Sequence, residues 1–211
     1  MTNKNKFYSI VLISTALIFL LLGIAAAELS DISKSSGNNN YKEAIKAYDK
    51  ALEINPENSN IWIYKGNILN KLNEPTEAIK AYDKAIEINP KNSNVWIHKG
   101  NILNKLGDST EAIKSYDKAI EISPQNSKAW IYKGNALNEP TEAIKAYDKA
   151  IEIDPQNSEA WISKGNILNK FNRPTEAIKA YDKALEINPH NSKAWIYKGN
   201  ALNKLAGGLV R

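Results

Sequence analysis

Residues Ser59 to Asn92 read SNIWIYKGNILNKLNEPTEAIKAYDKAIEINPKN, and Ser93 to Asn126 repeat them almost letter for letter as SNVWIHKGNILNKLGDSTEAIKSYDKAIEISPQN. The block recurs beyond this pair. Tryptophans stand at Trp62, Trp96, Trp130, Trp161 and Trp195, with spacings of 34, 34, 31 and 34. Each is followed by a Lys-Gly pair, from Lys65-Gly66 to Lys198-Gly199, and then by a leucine, from Leu69 to Leu202. A proline closes each unit: Pro56, Pro90, Pro124, Pro155 and Pro189. Self-similarity at such a period means one supersecondary unit stacked on copies of itself, because no single unit can bury its apolar face alone.

Each block carries two helical patterns. Over 76–88 the apolar residues Ala78, Ile79, Ala81, Tyr82, Ala85, Ile86 and Ile88 follow i, i+3, i+4, i+7 spacing, with Glu77, Lys80, Asp83, Lys84 and Glu87 opposite. Pro75, Pro140 and Pro174 open three of these helices, where a missing N–H costs nothing. Over 59–72, Ile61, Trp62, Ile68, Leu69 and Leu72 make a second stripe. Ser59, Ser93, Ser127, Ser158 and Ser192 are the expected N-caps. The Gly after each Lys is expected to admit the paired helix closely.

The recurring Trp-x2-Lys-Gly-x2-Leu, the Ala-x3-Tyr of the second stripe and the closing Pro resemble the tetratricopeptide repeat, Trp-x2-Leu-Gly-x2-Tyr, Ala-x3-Phe, Pro. The likeness covers residues 41 to about 205, with Lys, Leu and Tyr in place of three signature residues. It implies an all-α fold: a right-handed α-solenoid of stacked antiparallel helix hairpins, about ten helices in number. The array divides into a half unit at 41–58, full units at 59–92, 93–126, 127–157 and 158–191, a half unit at 192–205 and a tail at 206–211. The third full unit lacks the Lys-Leu-Asn found at 71–73, which predicts a first helix shortened to end near Asn138 and a weak link where a packed leucine is lost.

Before the array lies a separate element. Phe7 to Ala27 is 21 residues without a charge, preceded by Lys4 and Lys6 and followed by Glu28. A membrane-spanning helix needs ~20 apolar residues, which makes 1–27 an N-terminal hydrophobic helix and membrane anchor. Ala25-Ala26-Ala27 also fits a cleavage site, and cleavage after Ala27 would make the protein secreted. In both cases the lysines place the N-terminus inside and the repeats outside the cytoplasm. Residues 28–40 read as a flexible polar linker.

Composition narrows the function. The net charge of +5 falls to +3 once Lys4 and Lys6 are set aside. The lysines alternate with acids at helical spacing, the pattern of a solvated face, and no nucleic-acid partner is expected. There is no cysteine, and His98 and His190 are unaccompanied, so no metal, cofactor or enzyme function is expected and both histidines read as surface residues.

One stripe of the first helices is suggestive. Positions two, six, nine and thirteen of the unit share a face. They hold Asn60, Tyr64, Asn67 and Lys71, then Asn94, His98, Asn101 and Lys105, with Tyr132, Asn135, Asn166, Lys170, Tyr197 and Asn200 in later copies. The family resemblance implies that this face lines a concave groove for extended peptides and that the Asn series touches the peptide. It also implies that a carboxylate clamp is missing, because the clamp's lysine position holds Ile63, Ile97, Ile131, Ile162 and Ile196. The plainer alternative is that the stripe is copied with the repeat and binds nothing in particular. Two function classes follow: a tethered scaffold holding a protein or peptide partner, or an assembly element that self-associates head to tail through its complementary half units.

Overall fold

A computed structural model describes residues 37–208. The expected apolar helix over 7–27 lies outside them. Within them the chain forms ten helices and no strand: α1 over 37–54, α2 (Ser59–Lys71), α3 (Pro75–Ile88), α4 (Ser93–Lys105), α5 (Ser109–Ile122), α6 (Ser127–Ala136), α7 (Pro140–Ile153), α8 (Ser158–Lys170), α9 (Pro174–Ile187) and α10 (Ser192–Gly208). Even-numbered helices are the first helices of their units and odd-numbered ones the second. Helix α1 begins at 37, one turn into the stretch expected to be linker. No helix among the described residues is long and apolar enough to cross a membrane.

The hairpins close on small residues. Ala78, Ala112, Ala143 and Ala177 are wholly buried, as are Ala85, Ala119, Ala150 and Ala184. Between them Tyr82, Tyr116, Tyr147 and Tyr181 lie flat on the glycines of the paired first helix. A Cβ added to Gly66 would sit 2.6 Å from the Tyr82 ring, and Gly100, Gly134 and Gly165 are equally tight against their tyrosines. The glycine is thus required for close approach, as expected, and not for flexibility.

Three recurring contacts mark each junction between units, two of them crossing it. The indole Nε1–H of Trp62, Trp96, Trp130, Trp161 and Trp195 donates to the carbonyl of the proline six residues earlier, at 2.9–3.2 Å, so each tryptophan clips the inter-unit loop. The lysine three residues on lies over that ring, 5.2–5.9 Å from its centroid. The same ammonium pairs with an aspartate of the preceding second helix: Lys65 with Asp49, Lys99 with Asp83, Lys133 with Asp117, Lys164 with Asp148 and Lys198 with Asp182. The lysine that departs from the family signature is therefore an inter-unit tie. The i,i+3 pairs along second helices, such as Lys80–Glu77, are exposed to solvent and screened, and contribute little to stability.

Two expectations are corrected and a third is met. The N-caps are Asn58, Asn92, Asn126 and Asn157, each with extended backbone, and the serines are the first helical residues. Asn58 and Asn92 accept the amides of Asn60 and Asn94 at 3.1 and 3.2 Å, a role in which Asn equals or exceeds Ser. Helix α6 is shortened as expected, ending at Ala136 within two residues of Asn138, and Leu137 continues in extended backbone. The missing leucine was at most partly packed, for of its counterparts Leu72 is half-buried while Leu106 and Phe171 are 54% and 42% exposed. The deletion instead removes the left-handed residue that reverses the chain after the other first helices, Asn73, Gly107 or Asn172.

Candidate binding face

First helices of successive units touch directly, α4 with α6, α6 with α8 and α8 with α10, while no two second helices from α3 to α9 approach to that extent. The first helices therefore occupy the more tightly curved side of the stack, and the stripe of positions six, nine and thirteen lies on that side.

There the structure builds a repeating ladder. Tyr64 packs on Tyr48, His98 on Tyr82, Tyr132 on Tyr116 and Tyr197 on Tyr181, with ring centroids 5.7–6.1 Å apart. Ser163 leaves a gap in this series. The buried tyrosine hydroxyls donate to the ninth-position carboxamides: Tyr82 to Asn67, Tyr116 to Asn101, Tyr147 to Asn135 and Tyr181 to Asn166, at 2.8–2.9 Å. This alters the role expected of the asparagines. Their Oδ1 atoms are engaged inside the hairpin, and what they offer outward is the NH2 group, a donor only. Burial pushes the Tyr82, Tyr147 and Tyr181 hydroxyls up to about 12, so they remain protonated donors.

Asn67, Lys71, His98, Asn101, Lys105 and Tyr132 come together, with Asn70, Asn104 and Tyr82, around one open depression of about 540 Å³ spanning α2, α4 and α6. Asn60 and Asn94 lie outside it, at the starts of their helices. Asn135, Asn166, Lys170, Tyr197 and Asn200 continue the stripe beyond it. Asn70 and Asn104 were missed, although they too recur one helical step after Asn67 and Asn101 and share their face. No acidic residue lines the depression. Lys71 lies 5.6 Å from the Tyr41 ring, and Lys105 makes no ion pair among the described residues. Ile97 and Ile131, at the clamp's lysine position, are core residues. His98 is half-buried against Tyr82, where a surface residue was expected, and burial holds its pKa below the ordinary 6.5. His190 is exposed, as expected.

Depressions also occur against the tryptophans, such as the one of about 530 Å³ lined by Trp161, Lys164, Glu176, Lys179, Lys183 and Glu186. Their lysines and acids largely neutralise one another: Lys164 pairs with Asp148, and Lys183 with Glu186. Among the described residues no cluster of His, Asp or Glu could hold a metal ion.

Stacked antiparallel hairpins that present a periodic side-chain ladder define an α-solenoid, a protein-interaction scaffold. The chain belongs to the tetratricopeptide repeat family: models of that description match residues 36–58, 59–92, 93–126, 127–157 and 158–191. The fold is similar to a crystal structure of MamA, 25% identical with a TM-score of 0.66, covering 76% of this chain and 95% of that one. It is similar also to YrrB, described as a TPR protein with an unusual peptide-binding site, 25% identical with a TM-score of 0.60 over 74% of this chain and 82% of that one. MamA of Desulfovibrio magneticus RS-1, 17% identical with a TM-score of 0.65, covering 72% of this chain and 88% of that one, shares the fold. No curated protein matches the sequence.

Proposed function

We propose that this protein is a non-enzymatic scaffold that holds an extended segment of a protein partner along the first-helix face, tethered to a membrane through residues 7–27 with its repeats outside the cytoplasm. The observation that carries the binding proposal is the depression across α2, α4 and α6. Its polar groups are mainly donors: the carboxamide NH2 groups of Asn67 and Asn101, with Lys71 and Lys105, and no acid. Such a surface suits the carbonyls and carboxylates of an extended chain, while the Tyr132 and His98 rings offer apolar seats between them. YrrB, similar in fold, is described as having a peptide-binding site, which supports the same use here. The tether rests on the uncharged run from Phe7 to Ala27.

The test must spare Asn67 and Asn101, because they satisfy buried hydroxyls. Extended peptides selected from a library against the full chain should bind Asn104→Ala/Lys105→Ala at least about tenfold more weakly, a loss of ~1.4 kcal/mol. With only two lysines engaged, salt should weaken binding mildly. Unchanged affinity removes this face from consideration. N-terminal sequencing of the mature protein tests the tether: a start at Glu28 means a cleaved signal and a secreted scaffold.

A further inference from the structure

We infer that copies of this chain join head to tail, α1 of one copy docking on α10 of the next as its second helix. Helix α10 carries a complete first-helix face, with Trp195, Gly199, Asn200 and Leu202 at the positions of Trp62, Gly66, Asn67 and Leu69. In α2 that face is covered: Leu69 is 5% exposed and the Tyr82 ring fills the slot over Gly66. In α10 it is open: Leu202 is 46% exposed and Trp195 52%, and a Cβ on Gly199 would meet nothing within 4 Å. Nor does α10 fold back. It runs on through Gly208, with Ala206 where α2 is followed by the left-handed Asn73.

The same chain carries the helix that covers this face elsewhere. Residues 43–51 of α1 read Glu-Ala-Ile-Lys-Ala-Tyr-Asp-Lys-Ala, identical to 77–85, 142–150 and 176–184, the segments that pack on α2, α6 and α8. Helix α1 lacks a preceding first helix among the described residues, and residues 1–40 contain no tryptophan from which to build one. Its inner side is correspondingly open: Ala47 is exposed, whereas Ala81, Ala146 and Ala180 are 3% exposed. In the joint the Tyr48 ring lies over Gly199 and its hydroxyl donates to Asn200 Oδ1, as Tyr82 does to Asn67. Both helices exceed their counterparts by about a turn at the same end of the pair, α1 at 37–40 and α10 at 205–208, and the two extra turns run antiparallel side by side. A second copy is thus the occupant whose side chains match the open slot residue for residue. The contact is heterologous and gives open chains or a ring, with the first-helix ladder continuous across each joint.

Two substitutions separate the ends without disturbing either fold. Gly199→Leu fills the tail slot, and Ala47→Glu charges the head. Sedimentation of the full chain in detergent over a wide concentration range should show the unmodified protein growing into oligomers and each variant remaining monomeric. An equimolar mixture of the variants should give dimers and nothing larger, through the one intact head and one intact tail. At dilutions where all are monomers, neither variant should melt below the unmodified protein, Gly199→Leu gaining slightly from helix propensity. A wild-type monomer at the highest concentration, oligomers that survive either substitution, or pairing of Ala47→Glu with itself through its tails would overturn the proposal. So would a large fall in the melting temperature of either dilute variant, which would show that its face is already covered within one chain.

Discussion

Gly100 and Gly199 occupy the same place in the repeat and face opposite circumstances. The first has the Tyr116 ring 2.6 Å from where a Cβ would be, and the second has open space. Gly100→Ala is therefore expected to cost ~1–3 kcal/mol by overpacking. In the dilute monomer, where no second copy covers the slot, Gly199→Ala is expected to stabilise by up to ~1 kcal/mol through helix propensity. Denaturant melts of the two variants check this, and equal effects would contradict the packing account. His98 makes a second prediction. Its folded pKa lies below the unfolded 6.5, so the unfolded chain takes up the proton first. The stability tied to neutral His98 is complete above 6.5 and is lost as pH falls through the folded value. His98→Tyr, which restores the residue found at Tyr64 and Tyr132, should remove that dependence. The stability advantage of the variant over the wild type, followed by urea midpoints, should grow between about pH 7 and about pH 5, and a constant difference would count against burial as the cause. The glycine's purpose was legible in the sequence because it recurs beside a tyrosine-bearing helix. That the Asn67 carbonyl is already engaged was not, since its partner Tyr82 lies on another helix and only the packed pair reveals the bond.

The helices themselves were legible from periodicity, and their ends less so. Asn58 and Ser59 are both good capping residues, and only the extended backbone of Asn58 decides between them. The short helix α6 is the more instructive case. A missing leucine suggested a lost core contact, yet that position is exposed at Leu106 and only half-buried at Leu72. The removed residues included the left-handed turn, so Leu137 leaves the helix extended while remaining packed against the cluster of Ile131, Ala143 and Tyr147. The Tyr147–Asn135 bond and the Gly134 contact persist. The irregularity is thus confined to the end of α6. Hydrogen exchange should show the last turn of α6 opening more readily than that of α4, while α7 is as well protected as α5. Uniformly weak protection through α6 and α7 would instead show that the hairpin as a whole is destabilised.

Taken as a stack, the molecule has two periodic surfaces of similar relief, and chemistry rather than size distinguishes them. Around the tryptophans the lysines are paired with acids, as Lys84 is with Glu87. Between α2 and α6 the lysines face carboxamides and rings without an acid. The sequence foretold the second surface through Asn67, Lys71, His98, Asn101, Lys105 and Tyr132, because one helical face collects them. It did not show Asn70 and Asn104 beside them, and it placed Asn60 and Asn94 on a face whose useful part begins a turn later. The central claim is that this face receives the partner. Site-specific photocrosslinking addresses it most directly, with a photoreactive residue at Asn104 in one full-length variant and at Lys80, beside Trp62, in another. A bound extended peptide should crosslink at position 104 and not at position 80; crosslinking confined to position 80 would contradict the account.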